Sequence, residues 1–185
     1  MFTFQIFTVF LIGLIFGSFA NVCIARLPKD KTIIFGRSNC PKCKKKISWY
    51  DNIPLISFIL LKGKCRQCNK KISINYFFVE LLTGIFFITI FLYTSNYFDF
   101  ILINSILILF LIIFFIDLKH FIIPDILNFS LIFLGLLKNF IPTKNLNFNY
   151  DIEQSIIGGV IGYLTIWIII FLYKKRSEEH TSELQ

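Results

Sequence analysis

Residues 100–116 read FILINSILILFLIIFFI, seventeen positions at which only Asn104 and Ser105 are polar. As a helix this run would rise about 25 Å, most of the roughly 30 Å of hydrocarbon in a bilayer. No strand is that long, and a soluble helix would need a polar face that is absent here. The run ends abruptly at Asp117-Leu118-Lys119-His120, so it leaves the apolar medium at a carboxylate.

Four more apolar runs flank it. They cover residues 4–24, 76–93, 126–140 and 155–173, the third of these starting just after Pro124, which suits a helix start better than a helix interior. The first contains Gly13 and Gly17, and the last contains Gly158 and Gly162, both at the GxxxG spacing that lets helices approach closely. The residues before the first run hold no Lys or Arg, and the run is too long for a cleavable signal peptide. The 185-residue chain is 56% hydrophobic and 16% charged, with a mean hydropathy of +0.71, where a soluble domain would be about a quarter charged. These values predict an all-α polytopic membrane protein with about five transmembrane helices. They exclude a disordered chain, and five cysteines are too few for a secreted disulfide scaffold.

The formal charge of +8 is concentrated in one place. Thirteen of the nineteen Lys and Arg residues lie between Arg26 and Lys71, against only Asp30 and Asp51. Short basic loops resist translocation, so this block is expected in the cytoplasm. The N-terminus and the loops at 95–99 and 142–153 then fall outside, and 117–125 and 174–176 inside. The lipid bilayer is thus a partner, and any anion held by the basic loop is more readily lipid than nucleic acid, which is not expected.

Within the block stand Cys40-Pro41-Lys42-Cys43 and Cys65-Arg66-Gln67-Cys68, two C-x-x-C pairs 21 residues apart. Two such turns can present four thiolates tetrahedrally, the pattern of a structural zinc site, and the surrounding lysines favour thiolates. Two disulfides, a redox pair or unliganded cysteines are the alternatives, and a reducing cytoplasm disfavours the first. Four sulfurs leave no open position for water, so the metal would fold the loop and not catalyse. Cys23, in the first apolar run, reads as a packing residue.

Carboxylates at membrane depth are costly and are usually paired or functional. Asp117 is either solvated at the interface, paired with Lys119, or functional. Asp125 suits the first turn of a helix, His120 reads as an interfacial residue, and Glu80 either pairs with a polar group of another helix or faces the headgroups. An aspartic peptidase needs two carboxylates sharing a proton.

Gly13-Leu-Ile-Phe-Gly17-Ser18-Phe19-Ala20-Asn21-Val22-Cys-Ile-Ala-Arg26-Leu27-Pro28 closely resembles the opening signature of the type IV prepilin peptidases, the leader peptidase/N-methyltransferases. The segment 37–84, RSNCPKCKKKISWYDNIPLISFILLKGKCRQCNKKISINYFFVELLTG, is similar to that family's cytoplasmic zinc domain, and Asp117-x6-Pro124-Asp125 to its first catalytic motif. The resemblance covers about residues 13–172. It implies a membrane aspartic endopeptidase of the bacterial inner membrane that removes the basic leader of prepilin or pseudopilin precursors at the cytoplasmic face. In bifunctional members the new N-terminus is then methylated with S-adenosylmethionine. It further implies Asp117 as the first catalytic aspartate and Cys40, Cys43, Cys65 and Cys68 as zinc ligands. The family's second aspartate sits in a Gly-x-Gly-Asp motif that these residues do not contain.

The expected organisation is a first transmembrane helix at 1–25, a zinc-ribbon-like four-cysteine domain at 26–74 and an incomplete peptidase domain at 75–175. Residues 176–185, RSEEHTSELQ, resemble a translated sequencing adaptor, so the native sequence is expected to diverge near Lys175 and the chain as written to be inactive. The competing expectation is a non-catalytic, membrane-anchored zinc module that recruits partners through its basic loop.

Overall fold

The structure is a computed structural model that describes residues 2–33, 38–40, 42–140 and 152–182. The described residues are helical, with no extended strand among them. In chain order they form α1 (Phe2–Arg26), α2 (Ile56–Leu60), α3 (Asn75–Tyr93), α4 (Tyr97–His120), α5 (Asp125–Phe140) and α6 (Ile152–Ser182), with 3₁₀ turns at Leu27–Lys29 and Trp49–Asn52. Two compact units are present, residues 1–135 and 136–185.

Three helices among the described residues are long and apolar enough to cross a bilayer: Phe2–Lys29, which extends α1 by a 3₁₀ turn, then Asn75–Tyr93 and Tyr97–His120. The expected fourth and fifth spans exist as helices, but the 16 residues of α5 and the apolar stretch Ile156–Ile169 of α6 are shorter than that standard. Apolarity located all five helices, and length qualifies three. The expected outer loop at 142–153 falls largely on residues outside the described set, as do Arg37 and residues 183–185.

In the first unit, α1 and α3 run antiparallel in close contact. A Cβ on Gly13 would lie 2.8 Å from the Gly84 Cα, and one on Gly17 would lie 2.7 Å from the Glu80 Cα. Further along, the Asn21 Nδ2 donates to the Tyr76 carbonyl oxygen at 2.9 Å. The first GxxxG pair therefore packs helices within one chain. Lipid tails are as apolar as leucine, so such helices associate through close packing and hydrogen bonds more than through a hydrophobic drive.

Against this pair α4 completes a core of Ala20, Cys23, Ile24, Val79, Leu111, Ile112, Phe115, Ile116 and the α5 residue Leu127. Cys23 is a core residue, as its position in an apolar run led us to expect. Asn104, buried in α4, donates back to the Phe100 carbonyl, while its Oδ1 has no partner among the described residues.

Between α1 and α3 the basic segment folds into a small module of turns at the C-terminal end of α1 and the N-terminal end of α3. Both stems thus meet the module on the same side, as the charge pattern requires.

Candidate functional site: a four-cysteine module above a carboxylate-bearing helix end

The module is built from two copies of one turn. In the first, the Cys40 amide donates to the Lys45 oxygen at 3.0 Å, the Lys44 amide to the Cys40 oxygen at 2.9 Å, and the Ile47 amide to the Ser38 oxygen at 2.8 Å. In the second, the Cys65 amide donates to Lys70 at 3.0 Å, Asn69 to Cys65 at 2.9 Å, and Ile72 to Gly63 at 2.8 Å. Single antiparallel bridges, Asn39 with Lys46 and Lys64 with Lys71, close each turn, and Lys44 and Asn69 both take positive φ, 59° and 54°. The repeat is offset by 25 positions and is written in the sequence as C-x-x-C-x-Lys-Lys-Ile.

Facing each other, the turns bring the Sγ atoms of Cys40, Cys43, Cys65 and Cys68 within 4.8 Å of one another, with Cys40 and Cys68 at 3.9 Å. A tetrahedral zinc with Zn–S bonds of about 2.3 Å sets sulfurs about 3.8 Å apart, so the cluster has the size and ligand set of a zinc tetrathiolate. It is no pair of disulfides, whose sulfurs would be about 2.05 Å apart. Burial pushes the Cys40 thiol up. The amides of Cys43 and Lys42 and the thiols of Cys65 and Cys43 stabilise its thiolate more, and bring it down to about 7. At Cys68 the Lys70 amide favours the thiolate, but burial and sharing its proton with Cys65, Cys43 and Cys40 push it up to about 11. A divalent cation held by the four sulfurs would displace the proton that Cys68 keeps at neutral pH.

An Asp51–Arg66 ion pair at 2.7 Å, the guanidinium lying over the Tyr50 ring at 5.5 Å, ties the middle of the module to its second turn. The module is fastened to the membrane helices by Glu80. Its Oε2 accepts the Leu55 amide at 2.9 Å, and Ser18 and Asn21 of α1 turn polar groups toward the same carboxylate. Of the two expectations for Glu80, the polar partner on another helix holds. Its backbone partner across 25 residues carried no sequence signal.

Leu55 is itself unusual, with φ 58° and ψ −48° and the Ile56 amide donating to the Pro54 oxygen at 2.6 Å. This is a γ-turn of the strained, positive-φ kind, held in place by its surroundings.

Asp117 lies in the last turn of α4, exposed, and its carbonyl oxygen accepts the amide of Phe121, which caps the helix at φ 54°. Among the described residues the ion pair is Asp51–Arg66, and Asp117 forms none with Lys119, which removes that expectation. Asp125 opens α5 and is exposed, and its place in the first turn is the one expected. Lys119 and His120 share a cavity of about 250 Å³ with Lys29, just past the end of α1, and with Asn75 and Tyr76 from the start of α3. The Asp117 end of α4 is therefore the end that carries the four-cysteine module.

A helical membrane protein with a four-cysteine module at the same end as a carboxylate-bearing helix terminus is the class that fold and site define. Residues 11–94 match the bacterial peptidase A24 N-terminal domain, and residues 104–176 the type IV leader peptidase family. Similar curated relatives are prepilin leader peptidase/N-methyltransferases. The one from Vibrio cholerae is 40% identical over 89% of this chain and 66% of its own length. The Klebsiella pneumoniae one is 35% identical over 89% and 73%, and the Myxococcus xanthus one 36% identical over 84% and 45%. The chain belongs to the type IV leader peptidase family. It spans just under two thirds of the Vibrio relative and under half of the Myxococcus one. No solved structure matches it.

Proposed function

We propose that the chain is the four-cysteine module and leading helices of a membrane aspartic endopeptidase that cleaves the basic leader from prepilin or pseudopilin precursors at the cytoplasmic face of the bacterial inner membrane. The observation that carries this reading is the shared end of the bundle. Asp117 leaves α4 where Lys29, Asn75 and the four-cysteine module also stand, the side on which a leader rich in Lys and Arg would be retained.

In this mechanism Asp117 is one of two carboxylates that share a proton. The ionised member draws a proton from water as that water attacks the scissile carbonyl, and the protonated member donates to the carbonyl oxygen. The second carboxylate belongs to a Gly-x-Gly-Asp sequence that these 185 residues do not contain, so residues 1–175 alone should be inactive. Cys40, Cys43, Cys65 and Cys68 would hold a structural zinc, which would supply folding free energy to a module with little apolar mass of its own. The family's second activity, methylation of the new N-terminus with S-adenosylmethionine, follows leader removal.

Two measurements decide the reading. Genomic sequence beyond codon 175 should encode a Gly-x-Gly-Asp, and a genuine stop codon there would favour a non-catalytic zinc module that recruits partners. Residues 1–175 co-expressed with a prepilin should leave its leader in place. Efficient removal by that fragment would refute the two-carboxylate assignment.

A further inference from the structure

The short helix α2 has two unlike faces. Inward, Ser57, Phe58 and Leu61 line a cleft of about 190 Å³ between the four-cysteine module and the helix pair, opposite Asn21 and Ala25 of α1. There the Phe58 ring meets the Phe77 ring of α3 at 5.5 Å and covers Gly63, whose added Cβ would lie 3.0 Å from it. Outward, Ile56, Ile59 and Leu60 stand three and four positions apart, hence on one side of the helix, and are 53%, 63% and 75% exposed. Through Phe77 this apolar surface continues to Phe78 of α3, also exposed, with ring centroids 6.0 Å apart. A patch of this kind marks a surface that something covers.

The level of that face along the helices decides what covers it. The Glu80 carboxylate that accepts the Leu55 amide is approached by Ser18 and Asn21 of α1, and Asn21 is bonded to Tyr76, so α2 begins level with Asn21. Arg26, the first charged side chain of α1, lies five positions later, about 7.5 Å further along the helix. The outward face of α2 is therefore on the lipid side of that charge. Around it the segment 38–73 carries eight lysines, all exposed, and its one acid, Asp51, is bound to Arg66. We propose that the outward face of α2 is a membrane anchor, with Ile56, Ile59 and Leu60 dipping into the acyl boundary of an anionic bilayer while the lysines of the module lie on its phosphates.

Place and charge together select lipid as the occupant. At the level of Asn21 the lipid that surrounds α1 and α3 is already present, whereas a soluble partner would have to displace it. Lysine stems can lie along apolar surface while their ammonium groups stay among the phosphates, so Lys62 and Lys64, directly after α2, suit the boundary. Five residues hold a membrane weakly by themselves, but this helix sits in a module tethered at both ends, where a weak contact acts at high effective concentration. The contact reaches the cysteines through backbone. The Gly63 amide donates to the Phe58 oxygen and the Gly63 oxygen accepts the Ile72 amide, both at 2.8 Å, so α2 and the second cysteine turn form one piece. Seating α2 in the headgroup layer thereby fixes the height of Cys65 and Cys68 above the bilayer.

The test reconstitutes the zinc-loaded chain in vesicles of phosphatidylethanolamine and phosphatidylglycerol, with p-benzoylphenylalanine in place of Leu60. Irradiation should join position 60 to acyl carbons of lipid, read by mass spectrometry. A join to a second copy or to another protein would make the face a protein interface, and no adduct would leave it in water; either result overturns the proposal. Trypsin cleavage after Lys62 and Lys64 gives the second measurement. It should be at least about fivefold slower with phosphatidylglycerol present than in phosphatidylcholine alone, the worth of one lysine at an anionic surface, and high salt should shrink the difference. Equal rates in the two lipids would overturn the anionic surface as the occupant. Ile59→Asn with Leu60→Asn should lose the protection while keeping one zinc per chain, and protection unchanged in that variant would overturn the anchor. Should the variant lose its zinc, the cross-link in the otherwise native chain decides.

Discussion

The Leu55 amide and the Glu80 Oε2 meet at 2.9 Å, and this bond joins the four-cysteine module to a membrane helix across 25 residues of sequence. A charge-assisted bond of this kind is worth about 1.5–3 kcal/mol when one partner is removed. Glu80→Ala should therefore loosen the module from the helix pair without releasing its metal. Limited trypsin digestion would read this as faster cleavage at Lys62 and Lys64, with zinc content unchanged.

Leu55→Gly makes the complementary case. It keeps the amide that Glu80 accepts and relieves a backbone conformation that costs a non-glycine residue of order 1–3 kcal/mol. Protease resistance should be preserved or raised. A marked loss would show that the Leu55 side chain, and not its backbone, holds the module.

Zinc affinity should depend on pH with a definite sign. Metal binding displaces thiol protons, so affinity falls on acidification. Cys40, brought down to about 7, is already a thiolate above that pH, whereas Cys68, pushed up to about 11, must lose its proton at any physiological pH. Chelator competition at a series of pH values should show the slope of log affinity against pH steepening by about one proton below pH 7. An unchanged slope there would mean that Cys40 is not the depressed thiol. Cys40→Ser should abolish stoichiometric zinc.

On the proposed two-carboxylate reading, Asp117→Asn in a chain completed with a Gly-x-Gly-Asp segment should reduce leader removal by about 10²–10⁴-fold, the range for a positioned acid or base, with membrane insertion intact. Precursor processing followed by immunoblot measures it. Full activity in that variant would place the carboxylate elsewhere.

Gly17→Ala should separate α1 from α3, because the new Cβ would meet the Glu80 Cα at 2.7 Å, and backbone cannot step aside as a side-chain tip could. Overpacking of this kind costs about 1–3 kcal/mol. Gly135→Ala, whose Cβ meets nothing within 4 Å, is the matched control. Both are read as shifts in the midpoint of detergent-induced unfolding.

The spans of α1, α3 and α4 were legible because crossing a bilayer demands an apolar run, a local property that each segment shows alone. The four candidate metal-binding cysteines were legible because the spacing within each C-x-x-C is set by one tight turn. The matching Lys-Lys-Ile that follows each pair is equally open to view, but it gains meaning only through the backbone bonds that those residues make. Glu80 was visible as an acid in an apolar run, but its partner was not. The Leu55 amide reaches it only after a γ-turn that nothing in Pro54-Leu55-Ile56 announces. The cleft is likewise a property of how the module sits on the helices, which no single stretch encodes. The expected pairing of Asp117 with Lys119 failed because the two side chains, two positions apart on a helix, point away from each other.

The glycine seam between α1 and α3 has a thermodynamic consequence for the metal. Because the two helices lie side by side, residues 27–74 are a loop whose ends are already held together when zinc arrives. Bringing such ends together from an open chain costs on the order of 3 kcal/mol in conformational entropy. The bilayer thus acts as a staple on the module, and a substitution that unzips Gly13 and Gly17 should weaken zinc binding by a chain that keeps all four thiols.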